Sequence, residues 1–281
     1  MGLRPHVPFW QTTRFNMDLS RPVVMGIVNV TPDSFSDGGQ HAQTRTALAH
    51  AQRLLDEGAD VLDIGGESSR PGAPAVSEAQ EWQRIEPVLT ECLRWHRPVS
   101  LDTYKPVTMR RALDLGVDII NDIGGLRQPG AVAAVAASDC GVCVMHMHGE
   151  PQTMQLHPFQ GDVVQEVRAF LQARVAVLRQ AGVSAARIAL DPGVGFGKTV
   201  EQNFALLAHQ AKLQLPQHPW MVGWSRKSSL GAVTGLGVEQ RLLPSVAAAV
   251  LAVERGAHIV RVHDVAATVA ALAVWQAARP I

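Results

Sequence analysis

Eight short aliphatic runs, each followed by a longer segment rich in Ala and Leu, recur from one end of this sequence to the other, and their alternation limits what the chain can fold into. The runs are Val23–Asn29, Val61–Gly65, Val99–Asp102, Asp118–Asp122, Val142–His146, Ile188–Asp191, Trp220–Trp224 and Ile259–Val262. Their length and β-branched content predict strands, and helices are predicted near 42–57, 77–94, 106–115, 130–138, 162–181, 200–213, 239–255 and 265–278. Strands separated by helical crossovers pair parallel. Eight such units in 281 residues favour one α/β domain, a closed (β/α)8 barrel of the TIM type, over an open doubly wound sheet.

A repeated helix-stop supports one ring. Gly58-Ala59-Asp60-Val61, Gly116-Val117-Asp118-Ile119 and Gly256-Ala257-His258-Ile259 share a layout in which a glycine ends a helix and a strand begins two or three residues later, and Gly182-Val183 does the same before the sixth strand. No linker or composition break divides the chain. The expectation is a single domain over 1–281, with 1–20 as an N-terminal extension.

The chain carries 25 basic and 25 acidic residues. Polynucleotide binders need a basic excess to displace phosphate counterions, so no nucleic-acid partner is expected, while a small phosphorylated ligand stays open. The longest apolar run, Val246 to Val253, falls short of the ~20 residues that cross a bilayer. The start, Met1-Gly2-Leu3-Arg4-Pro5-His6, has no apolar signal region, so a cytoplasmic protein without a membrane partner is expected. Cys140 and Cys143 form a C-x-x-C with His146 and His148 beyond it, yet the segment is a short apolar run, and strand burial explains it better than a metal or redox motif.

In a parallel barrel the reactive face is the C-terminal rim, so polar residues at strand ends are the ones to weigh. They are dense: Asn29, Glu67, Asp102, Asn121 with Asp122, His146 and His148, Asp191, Arg226 with Lys227, and Arg261 with His263. The last two strands release Ser225-Arg226-Lys227-Ser228-Ser229 and Arg261-Val262-His263-Asp264, and cations with hydroxyls at that position suit a phosphate or diphosphate. Asp102, Asn121 and Asp191 end three other strands. One strand-end Asp is often only a helix cap. Three carboxylates and amides aimed at one cavity suit a planar heterocycle with several N–H donors, because a carboxylate accepts two parallel hydrogen bonds from such an edge.

Two loops complete the rim. Thr31-Pro32-Asp33-Ser34-Phe35-Ser36-Asp37-Gly38-Gly39 follows the first strand with no structural need for its composition, as an active-site loop would. Asp191-Pro192-Gly193-Val194-Gly195-Phe196-Gly197-Lys198-Thr199 looks like a nucleotide loop but has the wrong glycine spacing for one. Its glycines instead fit a flexible turn beside the site, with Phe196 exposed for stacking.

From about Arg21 to Val274 these motifs, in order, resemble the dihydropteroate synthases of the folate pathway. The likeness rests on Met25 through Gly39, on Gly65-Gly66-Glu67-Ser68-Ser69-Arg70-Pro71-Gly72, on Asp102-Thr103, Asn121-Asp122, Met145-His146-Met147 and Asp191-Pro192-Gly193, and on the two cationic strand ends. The resemblance implies a transferase that joins 7,8-dihydropterin-6-ylmethyl diphosphate to 4-aminobenzoate with Mg2+, as a homodimer. By that likeness Asn29 would ligate magnesium, and Asp102, Asn121, Asp191 and Lys227 would hold the pterin with Met145 packed on its ring. Ser69, Arg261 and His263 would bind the diphosphate. Phe35, Arg70, Pro71, Phe196 and Ser228 would shape the aminobenzoate pocket that sulfonamides occupy. Asp102, Asp191, Lys227, Arg261 and His263 are the expected catalytic set.

Two rivals use the same residues differently. A methyltetrahydrofolate-binding methyltransferase shares the pterin barrel but has no use for a diphosphate site. A zinc-dependent barrel hydrolase would need His146 and His148 side by side on one strand face.

Overall fold

Both faces of each aliphatic run are buried, one on the barrel interior and one beneath a helix, which is why these runs read as continuous apolar stretches. The computed structural model describes residues 9–31, 39–68 and 72–278. Two short strands, β1 (Phe9–Gln11) and β2 (Asn16–Asp18), pair antiparallel. There follow β3 (Val23–Asn29), α1 (Gly39–Asp56), β4 (Val61–Gly65), α2 (Glu78–Cys92), β5 (Val99–Asp102), α3 (Pro106–Leu115), β6 (Ile119–Asp122), α4 (Ala131–Ala136), β7 (Gly141–Met145) and α5 (Val163–Gln180). The chain continues through β8 (Ile188–Asp191), α6 (Val200–Ala208), α7 (Gln210–Leu213), β9 (Met221–Val222), α8 (Ser228–Thr234), α9 (Leu242–Glu254), β10 (Ile259–Val262) and α10 (Val265–Ala277).

The parallel sheet runs β8-β7-β6-β5-β4-β3-β10-β9. A bridge between Leu190 and Trp220, with the Leu190 N–H donating to the Pro219 carbonyl at 2.9 Å, joins β8 to β9 and closes the ring. The barrel is the expected fold. Among the described residues, no helix is long and apolar enough to cross a membrane.

Strand alternation sorts the side chains. Val23 and Met25 of β3, with Val61, Ile119, Cys143, Ala189, Met221 and Ile259 at matching positions of their strands, pack into one interior cluster. The intervening residues, such as Val24, Leu62, Leu101, Ile120, Val144 and Leu190, join the larger layer under the helices. Cys140 and Cys143 are buried free thiols of this packing, and burial pushes both pKa values up.

The β1–β2 hairpin stoppers the barrel's N-terminal end. Trp10 is fully buried within the interior cluster beside Met17 and Leu19, and its Nε1 donates to the Arg187 carbonyl at 2.9 Å. Arg14 forks onto Asp118 at 2.7 and 2.9 Å, and the same carboxylate accepts the Val99 N–H at 2.9 Å, tying the hairpin to the start of β5. Trp10→Phe keeps most of the packing and loses the buried hydrogen bond. Its expected cost is about 1–2 kcal/mol, read as a lower urea midpoint at unchanged slope with kcat unaltered. A midpoint equal to that of the parent would show the hairpin to be incidental.

Besides the β1–β2 hairpin, which lies in the expected N-terminal extension, three elements differ from the sequence reading. The seventh strand is only Met221–Val222, the chain turning soon after over Ser225–Arg226, and the sixth helix breaks at His209 into α6 and α7. Helix α8 was not anticipated: seven residues with Gly231 inside give too little periodicity to register.

Candidate active site

Side chains alternate along a strand, so the interior positions at the bottom of the barrel fix which rim residues point inward. Counting up by twos from Met25, Val61, Ile119, Cys143, Ala189 and Ile259 reaches Asn29, Asp63, Asn121, Met145, Asp191 and Arg261. Asp102 is level with Asn121, its direct register partner, and with Gly65. Sheet order then separates two arcs. The arc β5-β6-β7-β8 presents Asp102, Asn121, Met145 and Asp191; the arc β3-β10-β9 presents Asn29, Arg261 and the loops holding Lys227 and His263.

Arg261 bridges the arcs. Its Nε donates to Asp63 Oδ2 at 2.6 Å and its Nη2 to Asp102 Oδ2 at 2.7 Å. Asp63 Oδ2 also accepts from Asn121 Nδ2 at 3.1 Å, while Asp63 Oδ1, fully buried, has no hydrogen-bond partner among the described residues. Burial pushes the Asp102 carboxyl up, partly opposed by Arg261, and the two carboxylates hold the Arg261 guanidinium charged.

Asp191 accepts the Gly193 N–H at 2.7 Å through Oδ1. Burial raises its pKa to about 6, against that hydrogen bond and the charges of Lys227, Lys198 and Arg261. Lys227 places its ammonium 4.2 Å from the centre of the Phe196 ring. Burial and Arg261 lower its pKa to about 8, with Asp191 and Asp102 pulling the other way. Phe196 is buried, not exposed as the glycine-rich sequence suggested: it packs with Met145, Met147, Met154 and Ile123 in a small cluster roofing the mouth.

The β9 loop is held from outside the mouth. Arg226 has φ 58°, a strained backbone for a bulky residue, stabilised by its N–H donating to Ser245 Oγ at 2.8 Å and its guanidinium forking onto Asp264 at 2.7 and 3.1 Å. This turn delivers Lys227 to the rim as the residue before α8, which begins with Ser228, an exposed side chain. Ser225 Oγ lies 3.0 Å from His263 Nδ1 and accepts the His263 backbone N–H at 3.1 Å, joining the ends of β9 and β10.

Some expected residues do not reach the mouth. Asp122 and His146 stand one position beyond the inward residues and face outward. The Asp122 carboxylate caps its own turn, accepting the Gly124 and Leu126 N–H groups at 2.6 and 2.8 Å. His146 packs edge-on against Phe170 of α5, 5.0 Å between centroids, and burial drives its pKa well down, to about 2. His148 packs on Phe159 instead, so the two histidines do not form a zinc pair in the mouth. Phe35, Ser69, Arg70 and Pro71 lie outside the described residues.

Asp63, Lys198, Lys105 and Glu81 were missed; the last two join Glu67, a strand-end residue the sequence did pick out. Lys105 contacts the Glu67 carboxylate and lies 3.5 Å from that of Glu81, which also accepts from Thr103 and Thr108 at 3.0 and 2.7 Å. Tyr104 donates to Glu67 at 3.1 Å. This network pins the start of the loop after β4 to the end of β5, beside Asp102.

Comparison with known proteins agrees with this geometry. The family described as pterin binding enzyme matches residues 25–263. The dihydropteroate synthase of Neisseria meningitidis serogroup B is 53% identical over 275 residues, covering 95% of this chain and 96% of the relative. That of Escherichia coli K12 is 46% identical over 263 residues, covering 93% of each. Among solved structures, Burkholderia cenocepacia dihydropteroate synthase complexed with 7,8-dihydropteroate superposes with a TM-score of 0.89 at 51% identity, covering 98% of this chain and 97% of that one. The Xanthomonas albilineans enzyme with 4-aminobenzoic acid gives 0.91 at 49%, covering 98% and 100%. A parallel barrel with this rim, matched over almost its whole length, places the chain in the pterin binding enzyme family, among its dihydropteroate synthases.

Proposed function

We infer that this chain condenses 7,8-dihydropterin-6-ylmethyl diphosphate with 4-aminobenzoate, giving 7,8-dihydropteroate and diphosphate for folate synthesis. One observation carries the reading: a single rim gathers acceptors from the β5–β8 arc and cations from the β10 and β9 ends, with Arg261 reaching between them. When the methylene C–O bond breaks, its electron pair leaves with the diphosphate and the positive charge spreads into the dihydropterin ring. The site therefore faces opposite charges at its two ends, and fixed, buried groups stabilise them most effectively. Asp102, Asn121 and Asp191 accept from the pterin edge, Met145 covers the ring, and Lys227 sits at the pterin's far side on Phe196. Arg261 and His263 receive the diphosphate, with Ser69. Phe35, Arg70, Pro71, Phe196 and Ser228 border the aminobenzoate, whose amine attacks the methylene carbon and then releases a proton to solvent. An aniline nitrogen is nucleophilic without a strong base, so the displacement is SN1-like.

Asn29 suits magnesium. It ends β3 half-buried at an inward position, beside the strand that carries Arg261, and offers one neutral oxygen. Magnesium takes one or two protein oxygens alongside phosphate and water, so this donor is sufficient. When bound, the ion would screen the charge of the departing diphosphate.

The direct test is steady-state turnover of the purified chain with both substrates and magnesium. Equimolar dihydropteroate and diphosphate are expected; hydrolysis without condensation would refute the assignment. The pH profile adds a check. Asp191 must be ionised and Lys227 protonated, so kcat/KM for the pterin diphosphate should rise through about pH 6 and fall through about pH 8. A flat profile across that range would remove both groups from the mechanism.

The assembly we propose is a cytoplasmic homodimer. Leu243 and Leu251 on α9 and Val274 on the neighbouring α10 are exposed apolar side chains, 77%, 45% and 71% accessible, and a second copy is the occupant the family resemblance implies. Sedimentation at twice the monomer mass is expected at micromolar concentration; monomer mass throughout would contradict it.

A further inference from the structure

Lys198 has no part in the chemistry above, yet it is one of the most buried charged side chains, 2% exposed. Its Nζ donates to the carbonyls of Gly193 at 2.8 Å, Phe196 at 3.0 Å and His146 at 3.3 Å. Three donors meet three acceptors. Those acceptors belong to two segments that the site needs in fixed relation: the end of β7, directly after Met145, and the loop that leaves Asp191 and carries Phe196.

The loop is pressed hard against that strand end. A Cβ on Gly193 would fall 1.8 Å from the His146 carbonyl oxygen, and one on Gly197 would fall 2.2 Å from that of His148, with φ of 67° and 66° at the two glycines. The approach gathers the carbonyls of His146, Gly193 and Phe196 around one point, where the Lys198 ammonium meets them. An apolar side chain of similar length would fill the same space without a charge to desolvate, so the ammonium needs a reason beyond packing.

We propose that Lys198 is a positioning residue for the transfer reaction. Its ammonium clamps the 193–197 loop onto the end of β7, which sets the Phe196 ring, the Lys227 ammonium resting on it and the Met145 side chain against Asp191. The proposal rests on the condensation reaction assigned above. It goes further in giving a work-share to a residue that touches no substrate.

The charge of Lys198 also reaches the site. The groups facing it are Asp191, which raises its proton affinity, Lys227, which lowers it, and His146, which burial keeps neutral; burial leads the balance, and the Lys198 pKa falls to about 7. In return, Lys198 is one of the cations that hold the Asp191 pKa down. Removing the ammonium therefore moves Asp191 upward, and the acid limb of kcat/KM for the pterin diphosphate shifts to higher pH. A side chain that only filled space would leave that limb where it is.

The test is Lys198→Met in the full chain, assayed beside the wild type. The expected result is a roughly tenfold higher KM for 4-aminobenzoate, from a displaced Phe196, together with the upward shift of the acid limb. Lys198→Gln keeps two amide donors without charge, so it should raise KM less and shift the limb equally; it carries the test if the methionine variant does not fold. A folded variant with wild-type KM and an unmoved acid limb would overturn the role of Lys198. A wild type without turnover would instead overturn the reaction itself.

Discussion

Asp191→Asn is expected to lower kcat by roughly 10²–10³ while leaving the protein at least as stable at neutral pH. The two side chains are nearly isosteric, so Oδ1 can still accept the Gly193 N–H. What disappears is the negative charge that, in the proposed reaction, faces the end of the pterin where positive charge develops. That interaction strengthens only as the C–O bond breaks, so the loss falls on kcat and not on substrate affinity alone. Stability moves the other way. A carboxyl raised to about 6 in the fold, above its unfolded value, contributes stability below the unfolded pKa and loses it as pH rises through about 6. At neutral pH its ionised form costs about 3 kcal/mol, which the amide does not. An Asn variant with parental turnover at saturating substrate would remove Asp191 from the chemistry.

Arg261→Met should cost both activity and fold. Asp63, fully enclosed, and Asp102, half-buried, both accept from the one Arg261 guanidinium. Taking away the shared cation leaves two uncompensated carboxylates on neighbouring strands, two register positions apart, a loss of about 3–5 kcal/mol. Burial already raises the Asp102 carboxyl in the parent, and losing the cation that opposes that shift raises it further, so the deficit should be largest at neutral to alkaline pH and shrink as Asp102 protonates in acid. Turnover should fall by roughly 10³ if, as proposed, the same cation receives the diphosphate. Adding Asp63→Asn to Arg261→Met separates the two effects: stability should recover in large part, and turnover should not. A single variant as stable as its parent at neutral pH would mean that Asp63 and Asp102 do not depend on Arg261.

Much of this site was visible in the strand ends because a carboxylate, amide or cation at the edge of an aliphatic run has to go somewhere polar. Asp102, Asn121, Asp191, Lys227, Arg261 and His263 were found that way. The strand-end rule failed where it ignored side-chain direction. Counting by twos from Ile119 and Cys143 sends Asn121 and Met145 inward and Asp122 and His146 outward, so the same sequence already separated them. It also exposed Asp63, two residues after Val61 in a run otherwise apolar, where a carboxylate without a buried cation is untenable. Lys198 was harder. Its partners are backbone carbonyls from two segments fifty residues apart, and no side-chain pattern records such contacts. Phe196 was misjudged because a glycine-rich turn suggests exposure, whereas those glycines permit close approach to β7. The β1–β2 hairpin has too few residues for a strand pattern; only Trp10, a large apolar side chain with nowhere else to go, hinted at burial.

The claim beneath all of this is that the rim lets the C–O bond break before the amine arrives, by holding both separated charges. Positional exchange of a heavy-oxygen label in the pterin diphosphate tests it most directly: the label starts in the bridging position between the methylene and the first phosphorus, and the enzyme is incubated with magnesium and no 4-aminobenzoate. Scrambling of the label into non-bridging positions, at a rate comparable to turnover, is predicted. A label that stays in place until 4-aminobenzoate is added would contradict the account and point to concerted displacement.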